Sequence, residues 1–168
     1  MGTLKHQAQV FWMACLLLVL TASEVKADDT AYFITTGGQF GTIDLNTGAN
    51  TLLGTSANSP LAGLGEIGGT LYTAVFSGGT LYTVNPKSGA LNAVGNSSII
   101  YWAMGSTTTG LYAAGWPAGT NIQSNPPLSF YSIDARTGAA TLIGPFSVSP
   151  GFYAWCFSNG SSTLYFAD

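Results

Sequence analysis

After residue 28 the chain alternates apolar and polar positions in short runs, broken every ~10 residues by glycine pairs or by clusters of Asn, Asp, Pro and Ser. Thr, Tyr, Val, Ile and Phe fill these runs, residue types that suit a half-buried pleated surface. No segment there carries the three-to-four spacing of an amphipathic helix. The pattern predicts strands throughout. In its clearest stretch they fall at 61–67, 70–76, 80–85 and 90–94, a four-stranded antiparallel meander.

The same pattern recurs along the chain. Phe40-Gly41-Thr42-Ile43-Asp44-Leu45-Asn46-Thr47-Gly48 aligns with Leu81-Tyr82-Thr83-Val84-Asn85-Pro86-Lys87-Ser88-Gly89 and with Phe130-Tyr131-Ser132-Ile133-Asp134-Ala135-Arg136-Thr137-Gly138. Each copy ends in an aliphatic residue plus glycine, at Leu53-Gly54, Val94-Gly95 and Ile143-Gly144. A second signature precedes each copy at Ala31-Tyr32, Leu71-Tyr72 and Leu111-Tyr112, and returns at Leu164-Tyr165. Gly48 to Gly89 spans 41 residues and Gly89 to Gly138 spans 49, with the excess confined between Gly115 and Ser129. The underlying period of ~40 residues is that of one four-stranded propeller blade. In the shared turn, Asp44, Asn85 and Asp134 are placed to accept hydrogen bonds from amides two and three residues on, while Gly48, Gly89 and Gly138 supply the positive φ that closes the hairpin.

This repeat resembles the blade consensus of secreted bacterial β-propellers of the quinoprotein-like and YVTN-like group, in which Leu-Tyr-x-Ile-Asp-x-x-Thr-Gly marks the third strand and its turn. The resemblance covers most of residues 30–168 and implies an all-β fold, a partial propeller of about three and a half four-stranded blades at roughly 30–58, 59–98, 99–148 and 149–168. Quinoprotein blades carry a docking tryptophan four residues after the turn glycine. Leu52, Ala93 and Leu142 stand there instead, so the resemblance implies no cofactor. Counting from the second strand of the first unit to the second strand of the last gives 13 strands, fewer than a closed ring of four or more blades needs. The expectation is a fragment of a longer propeller, or, if the chain is complete, closure through a homo-oligomer, because bare blade faces and strand edges invite association.

The amino terminus reads as an export signal. Lys5 begins a basic region, residues 10–22 form an apolar run too short to span a membrane, and Val25-Lys26-Ala27 offers a cleavage site. Residues 1–27 are therefore expected to be a signal-peptide helix and 28–168 the mature, secreted or periplasmic protein, with no membrane association after cleavage.

Cleavage changes the available chemistry. His6 and Cys15 leave with the signal, so the mature part has no histidine and a single cysteine, Cys156. Ser-His-Asp triads, Cys-His pairs, His-ligated metals and a disulfide framework are excluded from it. Cys156 aligns with Gly63 and Ala103, small residues, and is expected in a buried slot. Lys87 and Arg136 face six acids, a net charge of -4, which gives no cationic stripe for nucleic acid. No metal site is expected.

The remaining motifs read as structure. Gly63-Leu64-Gly65-Glu66-Ile67-Gly68 matches a dinucleotide-binding glycine pattern, but a strand follows it where a helix is required. Asp44 and Asp134 occupy equivalent turns of different units and are expected too far apart for a carboxylate pair. Glu66 lies near a hairpin. Asn96-Ser97-Ser98 and Asn159-Gly160-Ser161 are glycosylation sequons.

Aromatic residues give the stronger lead. Trp102 and Trp155 stand ten residues before the Leu-Tyr tyrosines, beside Tyr101, Phe152 and Tyr153, and the insertion carries Trp116 and the 121–127 loop to the same end of the units. Such rings with amide neighbours suit stacking on a sugar or a peptide. Trp116, Asn121, Tyr101 and Tyr153 are the candidate ligand-binding residues, and Trp116 is expected to be exposed because it belongs to an insertion. Together these features point to an exported, noncatalytic module that binds protein or carbohydrate. The alternative is the first part of a lactonase-like or quinoprotein-like propeller enzyme whose catalytic residues lie in further blades.

Overall fold

A computed structural model describes residues 29–146, apart from 57 and 59, and the strands at 155–158 and 164–167. The fold is all-β. The strands are β1 Thr30–Ile34, β2 Gln39–Asp44, β3 Asn50–Thr55, β4 Leu61–Ile67, β5 Thr70–Val75, β6 Thr80–Val84, β7 Leu91–Asn96, β8 Ile99–Ser106, β9 Leu111–Pro117, β10 Ser129–Ile133, β11 Ala140–Pro145, β12 Trp155–Ser158 and β13 Leu164–Ala167. A 3-10 turn at Ile122–Ser124 interrupts them, a small departure from the expectation that helix is confined to the amino terminus. The signal segment 1–27 and Tyr153 lie outside the described residues, as does the side chain of Cys156.

The strands form antiparallel meanders in sequence order. β1-β2-β3 make one sheet, β12-β13 another, and the order β11-β10-β9-β8-β4-β5-β6-β7 joins two four-stranded meanders back to back. The junction is slight. Strands β4 and β8 run parallel and share one bridge, Gly63 with Met104, where Gly63 has φ 138° and an added Cβ would sit 2.5 Å from the Met104 carbonyl oxygen. Around it the Thr73 hydroxyl donates to the Gly63 carbonyl at 2.6 Å, and the Glu66 amide donates to the Ser106 hydroxyl at 2.8 Å. The glycine pattern at 63–68 therefore lines a seam between two first strands, and a β-hairpin follows it.

Three apolar clusters fill the spaces. Phe40, Leu71 and Val84, with Ile34, Leu53, Leu64 and Leu91, lie between the first two meanders. Ala74 and Leu81 of the second meander meet Tyr101, Met104, Leu111, Tyr131 and Ile133 of the third. Alternation along each strand sends its residues to two different clusters, so the inner strands are covered on both faces. At the middle of β9 small side chains meet both clusters, and Ala113 and Ala114 are both fully buried. Stacked rings repeat on the diagonal between second and third strands: Tyr32 on Phe40 at 5.6 Å and 11°, Tyr112 on Phe130 at 5.6 Å and 9°.

One turn is built three times. The Asp44 carboxylate accepts the amides of Asn46 at 2.8 Å and Thr47 at 3.0 Å, and Asp134 accepts those of Arg136 at 2.7 Å and Thr137 at 3.2 Å. The Asn85 side chain accepts only the Lys87 amide, at 2.9 Å, and the Ser88 amide turns to the Asn85 backbone carbonyl at 3.2 Å. Gly48, Gly89 and Gly138 adopt φ of 72°, 70° and 74°, and each donates its amide back to the residue that opens the turn at 2.8 Å. Amide donation from Thr47 and Asn46 holds the Asp44 carboxyl below the usual value of 3.8, and donation from Arg136 and Thr137 does the same for Asp134.

A depressed folded-state pKa contributes stability that is complete above the usual carboxylate value and is lost as pH falls through the folded one. The double variant Asp44→Asn, Asp134→Asn imitates Asn85 and keeps an acceptor that does not titrate. Its melting temperature should therefore decline less steeply than the wild type's as pH drops below 3.8, with the two curves converging in slope near neutrality. Parallel melting curves across that acid range would show that the turns do not couple to the proton.

Candidate functional site

The insertion between β9 and β10 and the bulge in β8 create the most distinctive surface among the described residues. In β8, Tyr101 faces Gly115 and Ala103 faces Ala114, so Trp102 is the extra residue of a bulge. Tyr101 and Trp102 enter different clusters, and the bulge brings Ala103 to the same cluster as Trp102, with Ala114, Trp116 and Leu128. Phe76, Trp102 and Trp116 form a chain of rings, the first pair tilted at 5.5 Å and 57° and the second at 5.3 Å and 70°, the edge-to-face arrangement that ring quadrupoles favour.

Trp116 is buried, at 7% exposure, contrary to the expectation from its position in an insertion. Strand β9 runs on to Pro117, which places Trp116 opposite Ile100 inside the sheet. Its indole Nε1–H donates to the Pro126 carbonyl at 2.9 Å, so the ring anchors the far end of the loop. The loop is tied at several further points. The Thr120 hydroxyl donates to the Pro117 carbonyl at 2.7 Å, the Asn121 side chain accepts the Gln123 amide at 3.1 Å, and the Ser124 hydroxyl donates to the Asn121 carbonyl at 2.7 Å. Ile122 packs inward against the Trp116 cluster, while Asn121, Gln123, Ser124 and Asn125 face solvent.

Tyr101 also departs from expectation. It is fully buried in the second core cluster, and burial pushes its phenol up, an effect the nearby Ser97 side chain opposes. Ser97 still donates its hydroxyl to the Gly79 carbonyl at 2.7 Å, and the Tyr101 hydroxyl has no hydrogen bond of good geometry. Tyr101 is thus a core residue. Of the four candidate ligand residues, Asn121 alone is placed at the described surface; the half-buried Trp102, which the ten-residue spacing had marked, replaces Trp116 and Tyr101 as the accessible ring.

The acids have structural partners. Asp44 and Asp134 cap turns in separate sheets, and the Glu66 carboxylate accepts the Gly69 amide at 3.0 Å across the β4–β5 hairpin. No group of three or more His, Cys, Asp or Glu able to hold a metal ion occurs among the described residues. The Asn96 sequon is likewise engaged, since its amide nitrogen donates to the Gly78 carbonyl at 2.7 Å and its oxygen accepts the Ser98 amide at 2.8 Å. Among the described residues no helix is long and apolar enough to cross a membrane.

The anchoring geometry has a measurable cost. Trp116→Phe leaves the Pro126 carbonyl without its donor and should destabilise the chain by about 1–3 kcal/mol in urea unfolding. Trp102→Phe, which breaks no comparable bond, should cost less. Equal losses would remove the loop-anchoring role from Trp116. As for known proteins, no family model matches the chain, and no curated protein matches it either.

Proposed function

We propose that the chain is an exported, noncatalytic β-propeller module that binds a carbohydrate or protein segment at the Trp102 end of its third meander. What carries the reading is the pairing of a half-buried indole with a tied-down loop presenting Asn121, Gln123, Ser124 and Asn125. An aromatic platform held by two neighbouring rings loses little conformational freedom on binding, and amides and hydroxyls beside it match the alternation of apolar faces and hydroxyl edges on a sugar ring. The side-by-side meanders, with first strands β4 and β8 parallel, support the propeller part of the reading. The turn-capping duties of Asp44, Asp134 and Glu66 support a noncatalytic one, since acid-base work needs carboxyls held for substrate. Export rests on the basic and apolar pattern of residues 1–27.

Two measurements test this. Expressed with its natural amino terminus in a secreting host, the exported protein should begin near Asp28 by amino-terminal sequencing, and recovery of a cytoplasmic chain beginning at Met1 would remove the export reading. Titration with soluble cello-, chito- and xylo-oligosaccharides should produce a saturable change in tryptophan fluorescence that Trp102→Ala abolishes and Asn121→Ala weakens by ~3- to 30-fold, the loss of one hydrogen bond plus ordering. A response that survives Trp102→Ala would place recognition elsewhere, and silence across the panel would turn the search to peptide ligands.

A further inference from the structure

Both junctions between successive meanders are closed by the same two parts. The first is a bulged aliphatic residue followed by glycine on the outer strand. Phe40 faces Gly54 while Gly41 faces Leu52, and Leu81 faces Gly95 while Tyr82 faces Ala93, which leaves Leu53 and Val94 as the extra residues. The second part is the turn of the following meander. A Cβ on Gly54 would run into the Ser88 carbonyl and one on Gly95 into the Thr137 carbonyl. The bulged residues enter the same junctions, Leu53 beside Leu71 and Val84, Val94 beside Tyr131 and Ile133.

At each end of the series one part stands without the other. Strand β11 has the same bulge, with Phe130 facing Gly144 and Tyr131 facing Leu142, so Ile143 and Gly144 occupy the places of Leu53 and Gly54. Yet Ile143 is 55% exposed where Leu53 and Val94 are half-buried, and no described residue lies within 4 Å of a Cβ on Gly144. At the opposite end the 44–48 turn has the capping bonds of the other turns. A Cβ on Gly48 meets nothing within 4 Å among the described residues, whereas one on Gly89 meets Phe40 and one on Gly138 meets Gly95 of the preceding meander. Gly48 itself is exposed, whereas Gly89 and Gly138 are buried. The strands are complementary as well. The three-stranded sheet opens with β1, the equivalent of the second strands β5 and β9, while β12 is the equivalent of the first strands and lies against β8.

We propose that a second copy of this chain docks head to tail, its 44–48 turn seated on Ile143 and Gly144 and its β1-β2-β3 sheet completed by β12 of the first copy. The occupant is a second copy because the chain carries both halves of the junction and, in its own two internal junctions, shows how they fit. Strand β13, four residues long and bonded to β12 alone among the described strands, yields its place to the five-residue β1 of the incoming copy. The contact is heterologous, so copies add in one direction until the arc closes or the chains lengthen. This goes beyond ligand binding and does not depend on it.

Sedimentation velocity of the mature chain over a wide concentration range tests the proposal. The wild type should pass from monomer to dimer and larger species as concentration rises. Gly144→Ala adds a methyl group that meets no described residue in the single copy but fills the seat of the incoming carbonyl, and it should weaken association about tenfold or more while leaving the melting temperature of the dilute protein unchanged. Ile143→Asp should do the same by placing a charge in the junction. Gly95→Ala, the same change in an internal junction, should instead lower the melting temperature of the monomer. A wild type that remains monomeric at every concentration overturns the proposal. So does association that both Gly144→Ala and Ile143→Asp leave intact.

Discussion

The spacing between neighbouring meanders is fixed by a place where no side chain fits. At Gly54 and Gly95 the backbone of one outer strand lies against the carbonyl of the next meander's turn, at Ser88 and Thr137, so closely that even a methyl group would collide. Close backbone approach of this kind demands that the opposing carbonyl be held still. The capped turn does so: its amides point inward to the Asp134 carboxylate or the Asn85 carbonyl oxygens, which leaves the Ser88 and Thr137 carbonyls directed outward. The turn acid, the bulge and the strand glycine are therefore one device, and the apolar clusters fill a gap whose width that device has set.

Much of this was legible in the chain. Residues 61–67 and 70–76 lie within one residue of β4 and β5, because Gly68-Gly69 marks the hairpin between an apolar run and a Thr-, Tyr- and Val-rich one. The turn chemistry was legible for the same reason, an acid or amide at a fixed distance before glycine. Bulges were not. They shift the alternation within a strand, and nothing local in Tyr101-Trp102-Ala103 tells which ring goes to which face. Tyr101 consequently read as a ligand-binding candidate when it fills the core, while the half-buried Trp102, marked by its spacing, was not among the candidates.

Trp116 failed as a surface candidate for a different reason. The aligned period placed it in the excess between Gly115 and Ser129, and inserted segments ordinarily project into solvent. Here the strand simply continues into the insertion, and the inserted chain folds back so that Pro126 offers its carbonyl to the indole. A loop of this length is held by burying its own apolar residues. Ile122 and Leu128 serve that end, and the burial of Leu128 to 2% exposure shows how fully the loop closes over the sheet.

That closure bounds the apolar surface left open on the third meander. On the third meander β12 lies against β8, and the insertion, Trp116 and Phe146 pack over Ala103 and Ala114 of β8 and β9. Among the described residues the cover reaches Phe146, whose amide donates to the Leu128 carbonyl at 2.9 Å, and Leu142 and Ile143 of β11 are exposed. The insertion thus covers the third meander only near its inner strands. Near the outer strand the bulge and glycine still have the geometry of a junction, because that geometry is set within β10 and β11 and does not require a neighbour to be present. The ligand-facing loop and the open junction therefore share one meander but lie over different strands, and a substitution at Ile143 or Gly144 leaves the rings of Trp102 and Trp116 in place.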